Sequence, residues 1–214
     1  MTSARAERLR GIYAIIDNFG RPELDHLALA RAAVRAGVKV VQLRAKNLPT
    51  RDLVAAAREI AALCRSEGVL FIVNDRLDVA LAAQADGAHL GQEDLPLAAA
   101  RKIAGNRLLI GISTHSVEEA RQAERQGADY VGFGAIYATA SKAKVTAPQG
   151  KRRLAEATAA VAIPVIAIGG ITREKLPEIH AAKAAGAAVI GAWVLAADPE
   201  RALRSLVQAW QELD

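Results

Sequence analysis

Three polar side chains at alternate positions interrupt the apolar stretch VQLRAKNLPT. Gln42, Arg44 and Lys46 are separated by Leu43 and Ala45. In an extended chain, alternate residues point to the same face, so we expect the amide and the two cations to project together at the end of a strand. Side chains of these types suit an anion such as a phosphate group.

Acidic and amide residues follow the next two apolar runs. Asn74 and Asp75 follow VLFIV, and Asp94 follows GAHL within GQED. Cations alone would indicate a phosphate site, whereas cations beside two carboxylates indicate a diphosphate bound with a divalent metal. Mg²⁺ usually takes one or two carboxylates and shares phosphate oxygens, so Asp75 and Asp94 are the predicted metal ligands.

Hydroxyl, lysine and glycine residues follow the later apolar runs. They are Ser113, Thr139, Ser141, Lys142, Gly169, Gly170 and Gly191. The backbone N–H groups of glycines can approach a phosphate closely. We therefore expect the site to hold two anionic groups at once, one metal-bound and one glycine-bound.

Each of these residues also has a purely structural alternative. Asp75 and Asp94 each precede a helical segment and could serve only as its N-cap. Arg44 and Lys46 could merely pair with carboxylates at the rim of the fold, and the hydroxyls and glycines could belong to turns. The functional interpretation gains weight because all of these residues follow the same end of the predicted strands.

Eight short apolar runs alternate with eight segments of helical spacing. The runs are IYAII (12–16), VKVVQL (38–43), VLFIV (69–73), GAHL (87–90), RLLIGI (107–112), DYVGFG (129–134), IPVIAI (163–168) and AAVIGA (187–192). The helical segments are 23–36, 50–66, 76–84, 96–103, 116–126, 151–160, 173–184 and 199–212. Strand followed by helix, repeated, predicts parallel strands with crossover helices.

We therefore predict an α/β protein with a single (β/α)₈ TIM barrel over residues 11–214 and a flexible N-terminus over residues 1–10. Active sites of this fold lie at the carboxyl ends of the strands, where the polar residues fall. A doubly wound open sheet is the alternative. Its usual G-x-G-x-x-G pattern is absent from the first turn, DNFGRPE.

Composition and charge exclude several classes of protein. The 214 residues carry a formal net charge of +5, which suits an anionic partner. The basic residues are scattered and do not alternate with aromatics, so we expect no nucleic-acid partner. The single cysteine, Cys64, can form no internal disulfide. Neither a membrane span nor a secretory signal is present, so we expect a cytoplasmic protein with no membrane partner.

The four histidines give no sign of a metal site or a nucleophilic site. His26, His89, His115 and His180 show no metal-ligand spacing, and no nucleophile elbow supports a Ser–His–Asp triad. We expect His89, in GAHL, to be a hydrogen-bonded histidine of the barrel.

Six blocks of the sequence carry a family resemblance: VQLRAKN, IVNDRLDVAL, GAHLGQEDLP, GISTHS, ADYVGFGAIYATASK and IPVIAIGGI. Together they resemble the thiamine phosphate synthase family, in the family's order, over most of the chain. The resemblance implies a transferase of thiamine biosynthesis with Mg²⁺ as cofactor. Such an enzyme joins 4-amino-2-methyl-5-hydroxymethylpyrimidine diphosphate to thiazole phosphate and releases pyrophosphate.

Carried over by position, the resemblance gives the site residues roles. It implies that the diphosphate lies on Gln42, Arg44, Lys46 and Asn74, with Mg²⁺ on Asp75 and Asp94. It matches Ser113 to the family's serine after strand 5, Thr139, Ser141 and Lys142 to its loop after strand 6, and Gly169 and Gly170 to its thiazole phosphate site. Arg44, Lys46, Ser113 and Lys142 are the implied catalytic residues.

The sequence departs from the family pattern at three positions. Ala135 and Ala138 stand where prolines are usual, and Gly191, a further substrate-binding position, stands where serine is common. The stretch AKVTAPQGKRR also resembles the thiazole tautomerases, a sister branch that has lost much of the diphosphate site. That branch and a non-catalytic barrel that binds a phosphorylated ligand are the alternatives to a synthase. The oligomeric state, monomer or homodimer, stays open.

Overall fold

The computed structural model describes residues 6–18, 20–139 and 147–214. Within them, eight parallel strands form a closed barrel in which each strand pairs with the next and the eighth pairs with the first. The strands are β1 (Gly11–Ile16), β2 (Val40–Leu43), β3 (Leu70–Asn74), β4 (Gly87–Leu90), β5 (Leu109–Thr114), β6 (Tyr130–Gly134), β7 (Val165–Ile168) and β8 (Gly186–Val189). The predicted (β/α)₈ barrel is confirmed, and every predicted apolar run overlaps one strand.

Helices follow the strands on the outside of the barrel. In the described ranges they are α1 (His26–Arg35), α2 (Thr50–Ser66), α3 (Leu77–Ala82), α4 (Leu97–Ala104), α5 (Val117–Arg125), α6 (Gly150–Ala160), α7 (Leu176–Ala181), α8 (Gly191–Val194) and α9 (Pro199–Gln211), with 3₁₀ turns at Ala6–Arg8 and Arg173–Lys175. The predicted run 187–192 extends into α8, because an apolar stretch does not by itself distinguish a strand from a short helix. No helix in this part of the chain is long and apolar enough to cross a membrane.

The first described residues close the amino end of the barrel. Ala6 and Leu9 are fully buried and pack with interior side chains that include Tyr13 and Leu70. The interior of such a barrel is filled with side chains and is not a pore. An apolar side chain at its open end therefore shields the interior side chains there from solvent. Residues 6–9 therefore differ from the predicted flexible N-terminus, and residues 1–5 lie outside the described ranges.

An ionic cluster ties together the amino-terminal face of the barrel. Arg101 of α4 donates to the carbonyls of Gly105 and Gly127 at 2.9 and 2.8 Å and pairs with Asp129 at 2.6 Å. Asp129 also accepts a hydrogen bond from the backbone N–H of Ile110 at 2.7 Å. The cluster joins α4 to β5 and to the residue before β6, and none of the predicted site residues takes part in these contacts.

We expect Arg101→Ala to lower the free energy of unfolding by about 2–4 kcal/mol. The partly buried Asp129 carboxylate loses its cation, and the carbonyls of Gly105 and Gly127 lose the hydrogen bonds from Arg101. The matched control is Arg125→Ala, whose exposed pair with Glu118 should contribute about 0–1 kcal/mol. Urea unfolding measures both variants. Equal unfolding free energies for the two variants would contradict the structural role assigned to Arg101.

Candidate active site

Four predicted residues line one cavity at the carboxyl end of the barrel. Gln42, Arg44, Asn74 and Ser113 border a space of about 50 Å³ together with aromatic and aliphatic side chains of the interior. They belong to β2, β3 and β5 or directly follow them, so closure of the barrel brings them together. A wider hollow of about 640 Å³ near Trp210 lies elsewhere, and no predicted site residue in the described ranges borders it.

Arg44 is held by an acidic residue that the sequence analysis did not single out. Its guanidinium pairs with Asp17, which directly follows β1 and is 7% exposed. The backbone N–H of Arg44 also donates to the carbonyl of Ile16 at 2.9 Å, so the two strands run side by side up to the ion pair. A guanidinium carries five N–H donors, so this pair fixes Arg44 while leaving donors for an anion. The available signal was an aspartate at the end of the run IYAIID.

The two predicted metal ligands lie in contact with each other. Asp75 follows β3 with a φ of +61°, and its N–H donates to the carbonyl of His89 at 2.8 Å. Burial and the neighbouring Asp94 carboxyl raise the pKa of Asp75, while Lys46, whose Nζ lies 3.6 Å from Asp75 Oδ2, acts in the opposite direction. Two neighbouring carboxyls therefore oppose each other's ionisation here, and Lys46 partly offsets that repulsion.

Neither aspartate caps a helix. Helix α3 begins after Arg76 and α4 after Pro96, in both cases without a side-chain cap. Asp94 instead accepts a hydrogen bond from the N–H of Gly91 at 2.6 Å, which closes the turn after β4. The helix-capping alternative is therefore wrong for both Asp75 and Asp94.

Five hydrogen-bonded side chains cross the barrel interior, and we name them the interior chain. Gln42 donates to the hydroxyl of Tyr13 at 2.7 Å, and the hydroxyls of Tyr13 and Tyr130 lie 3.1 Å apart. His89 follows, with Nδ1 3.1 Å from the Tyr130 hydroxyl and Nε2 3.0 Å from the Ser113 hydroxyl. The expected hydrogen bonding of His89 is confirmed, whereas no sequence pattern singled out the tyrosines.

The glycines after β7 form a tight loop. Gly169 and Gly170 have φ angles of +101° and +61°, and a Cβ on Gly170 would overlap the carbonyl oxygen of Ala138. The ammonium group of Lys175 lies 4.0 Å from the ring centroid of Tyr137 and donates to the Gly170 carbonyl at 3.1 Å. The loop has no room for a side chain at Gly170, because the segment after β6 packs directly against it.

Four predicted site residues, Thr139, Ser141, Lys142 and Gly191, are not among the contacts given above. Gly191 is the first residue of α8 and does not end a strand. Thr139 is half-buried at the end of a described range. Ser141 and Lys142 lie outside the described residues.

Comparison with known proteins finds relatives over most of the chain. The family model described as Thiamine monophosphate synthase matches residues 12–193. The thiamine-phosphate synthase of Chlorobium luteolum is 51% identical over 181 residues, or 85% of each chain. That of Moorella thermoacetica is 49% identical over 187 residues, which cover 87% of this chain and 88% of the relative. A solved thiamine phosphate pyrophosphorylase from Pyrococcus furiosus is similar at a TM-score of 0.88 and 38% identity, covering 97% of this chain and 98% of that one.

Replacing Asp75 by Asn is expected to stabilise the protein in buffer that contains a chelator. The pKa of Asp75 is raised in the folded state, so its ionised form opposes folding at neutral pH. This penalty disappears as the pH falls below the unfolded-state value of about 3.9. Thermal unfolding at neutral pH should show a Tm roughly 1–4 °C higher for D75N, and the difference should shrink in acid.

The control for this experiment is Asp78→Asn. Arg76 hydrogen-bonds Asp78 and lowers the pKa of that carboxyl, so its charge favours folding and its loss should leave the Tm unchanged or lower it. A Tm of D75N below that of the wild type at neutral pH would contradict the charge balance described for Asp75.

Proposed function

The chain belongs to the thiamine monophosphate synthase family, and from this premise we propose how its own residues form thiamine phosphate. Its activity is that of a transferase that makes thiamine phosphate. The substrates on this proposal are the aminopyrimidine diphosphate and thiazole phosphate, and pyrophosphate leaves. The observation that carries the proposal is a set of cations and carboxyls at one end of the barrel. Arg44 pairs with Asp17, and Lys46 lies beside Asp75, whose carboxyl neighbours that of Asp94.

The diphosphate would lie against Arg44, Lys46, Asn74 and Ser113. Arg44 is preorganised by Asp17, and the Lys46 side chain is 58% exposed, so its ammonium is accessible to an anion. The amide of Gln42 uses one N–H to reach Tyr13, which leaves its second N–H and its oxygen for the substrate. Cations fixed before the substrate arrives stabilise the negative charge that develops on leaving pyrophosphate.

Asp75 and Asp94 would hold the Mg²⁺. Among the described residues, no three His, Cys, Asp or Glu side chains gather into a metal-binding group, so a metal here would take its other ligands from phosphate and water. This donor set fits Mg²⁺, which is commonly held by one or two carboxylates together with phosphate oxygens. When bound, the ion would supply charge neutralisation for the departing pyrophosphate.

The thiazole phosphate would lie on the loop after β7. The turn at Gly169 and Gly170 supports this placement because two successive glycines carry no side chain that would keep an anion from their backbone N–H groups. Gly191, at the start of α8, would border the same phosphate. Thr139, Ser141 and Lys142, in the loop after β6, would complete the contacts to the substrates.

The reaction on this proposal needs no nucleophile from the enzyme. The C–O bond to the diphosphate breaks, and both bonding electrons leave with the pyrophosphate oxygen. The exocyclic carbon of the pyrimidine becomes carbocation-like. The thiazole nitrogen then attacks that carbon with its lone pair. The protein therefore contributes orientation and charge stabilisation, and both depend on where the rim residues are held.

The synthase fits this chain better than either alternative. A thiazole tautomerase has lost much of the diphosphate site. A non-catalytic barrel that binds a phosphorylated ligand has no need of two adjacent carboxyls in addition to two cations. The relatives compared above carry the synthase name. The direct experiment is to mix purified protein with both substrates in Mg²⁺ or in excess chelator. Product that requires Mg²⁺ is expected, and absence of thiamine phosphate in both conditions would contradict the proposed function.

Arg44→Ala is expected to lower kcat/KM by about tenfold or more, on the order of 1.4 kcal/mol, because the diphosphate loses a preorganised cation. Steady-state kinetics with the diphosphate as varied substrate measures the effect. The matched control is Arg58→Ala, an exposed arginine of α2 that donates to the carbonyl of Ala82. Wild-type kinetics in the R44A variant would contradict the role assigned to Arg44.

Gly170→Ala is expected to raise the KM for thiazole phosphate by about tenfold, because the new Cβ pushes against Ala138 and moves the backbone that would hold the phosphate. The KM for the diphosphate should stay close to the wild-type value. Gly127→Ala is the matched control, since Gly127 also has a positive φ but a Cβ there meets no atom within 4 Å. Equal changes in both KM values of G170A would show that this loop is not specific to the thiazole phosphate.

A further inference from the structure

The interior chain links a buried glutamine to a serine at the substrate cavity. All five of its members border the cavity at the carboxyl end of the barrel. Two glycines make room for it: a Cβ on Gly111 would overlap the ring of Tyr130, and a Cβ on Gly132 would lie 3.1 Å from Cε1 of His89. The positions of the tyrosine and the histidine therefore depend on the strands around them.

The direction of the hydrogen bonds follows from the first donor. An amide nitrogen only donates, so the hydroxyl oxygen of Tyr13 accepts from Gln42. The hydroxyl hydrogen of Tyr13 is then directed at the Tyr130 hydroxyl oxygen, which lies 3.1 Å from the Tyr13 oxygen. A chain that ran the other way would leave this buried tyrosine hydrogen without an acceptor among the hydrogen bonds described.

Both tyrosines stay protonated, so the direction is kept along the chain. Burial raises the pKa of Tyr13 and of Tyr130 above the ordinary value for tyrosine. When Tyr130 accepts from Tyr13, its own hydrogen is left for Nδ1 of His89, which lies 3.1 Å away. A neutral imidazole that accepts at Nδ1 carries its hydrogen on Nε2, and this nitrogen faces the Ser113 hydroxyl at 3.0 Å.

We propose that Tyr13, Tyr130 and His89 are positioning residues that fix His89 as its Nε2–H tautomer and thereby turn the hydroxyl hydrogen of Ser113 toward the substrate diphosphate. The proposal rests on the proposed function, which places the diphosphate at Ser113. With the opposite tautomer, Ser113 would donate to His89 and present only lone pairs to an anion. A donor that points at the leaving group stabilises charge that develops there, so the interior chain acts on kcat.

The tautomer of His89 can be measured in the protein without substrate. Nitrogen-15 NMR of histidine-labelled wild type, at a pH above about 6.5, distinguishes a protonated ring nitrogen from a bare one. The His89 signals are those that persist in His26→Gln, His115→Gln and His180→Gln. The expected result is a bare Nδ1 and a protonated Nε2. A protonated Nδ1, alone or together with a protonated Nε2, would overturn the proposal.

Removing one hydroxyl from the interior chain tests its consequence. Tyr130→Phe should let the two tautomers of His89 mix and should lower kcat by about tenfold while both KM values stay within about twofold. The control is Thr158→Val, which removes a hydrogen bond of 2.7 Å to the Ala182 carbonyl away from the site and should leave kcat unchanged. A fixed tautomer with wild-type kcat in Y130F would overturn the proposal.

A double-mutant cycle shows whether the effect passes through Ser113. In the Ser113→Ala background, Tyr130→Phe should change kcat little, because the hydroxyl that it orients is gone. An equal loss in both backgrounds would overturn the assigned path. Failure of the proposed function is distinguishable, since it would appear as a wild type that makes no thiamine phosphate, while the NMR result reports on the interior chain alone.

Discussion

Closure of the barrel between β1 and β8 is the constraint on which the site depends. Gly11 and Gly186 are paired in that seam, and a Cβ on Gly186 would overlap the Gly11 carbonyl oxygen, so a larger residue would push the strands apart. Once the seam is closed, the carboxyl ends of the strands share one rim. Arg44, Asp75 and Ser113 then lie at that rim, at the ends of β2, β3 and β5, although long stretches of chain separate them.

At this rim, opposite charges are paired before any ligand binds. Arg44 pairs with Asp17, and Lys46 lies beside Asp75. Holding long side chains in place in advance reduces the conformational entropy that is lost on binding. On the proposed function, a metal–diphosphate complex matches this arrangement, because its cation meets Asp75 and Asp94 while its anionic oxygens meet Arg44 and Lys46. The repulsion between the Asp75 and Asp94 carboxyls opposes folding in the free protein. A bound cation would relieve that repulsion and so gain affinity from it.

Much of the fold and part of the site could be predicted from the sequence. Strands that are buried on both faces read as continuous apolar runs, and the polar residues that end such runs must meet at the rim. Asp17 was missed because its partner depends on which strands are neighbours in space. The interior chain was missed because the two tyrosines that join Gln42 to His89 lie in buried strands and carry no local pattern. The burial of Leu9 was missed because it depends on packing against interior side chains of the closed barrel, which are distant in sequence.

On the proposed function, the rim binds a diphosphate and a divalent cation as one unit. Calorimetric titration of inorganic pyrophosphate into the protein, in Mg²⁺ and in excess chelator, separates joint binding from independent binding. We expect Mg²⁺ to tighten pyrophosphate binding by about tenfold or more, and by linkage we expect pyrophosphate to tighten Mg²⁺ binding by the same factor. Asp94→Asn should lose this coupling and retain weak binding to the cations. Equal affinity for pyrophosphate in Mg²⁺ and in chelator would show that the rim does not bind the two as one unit.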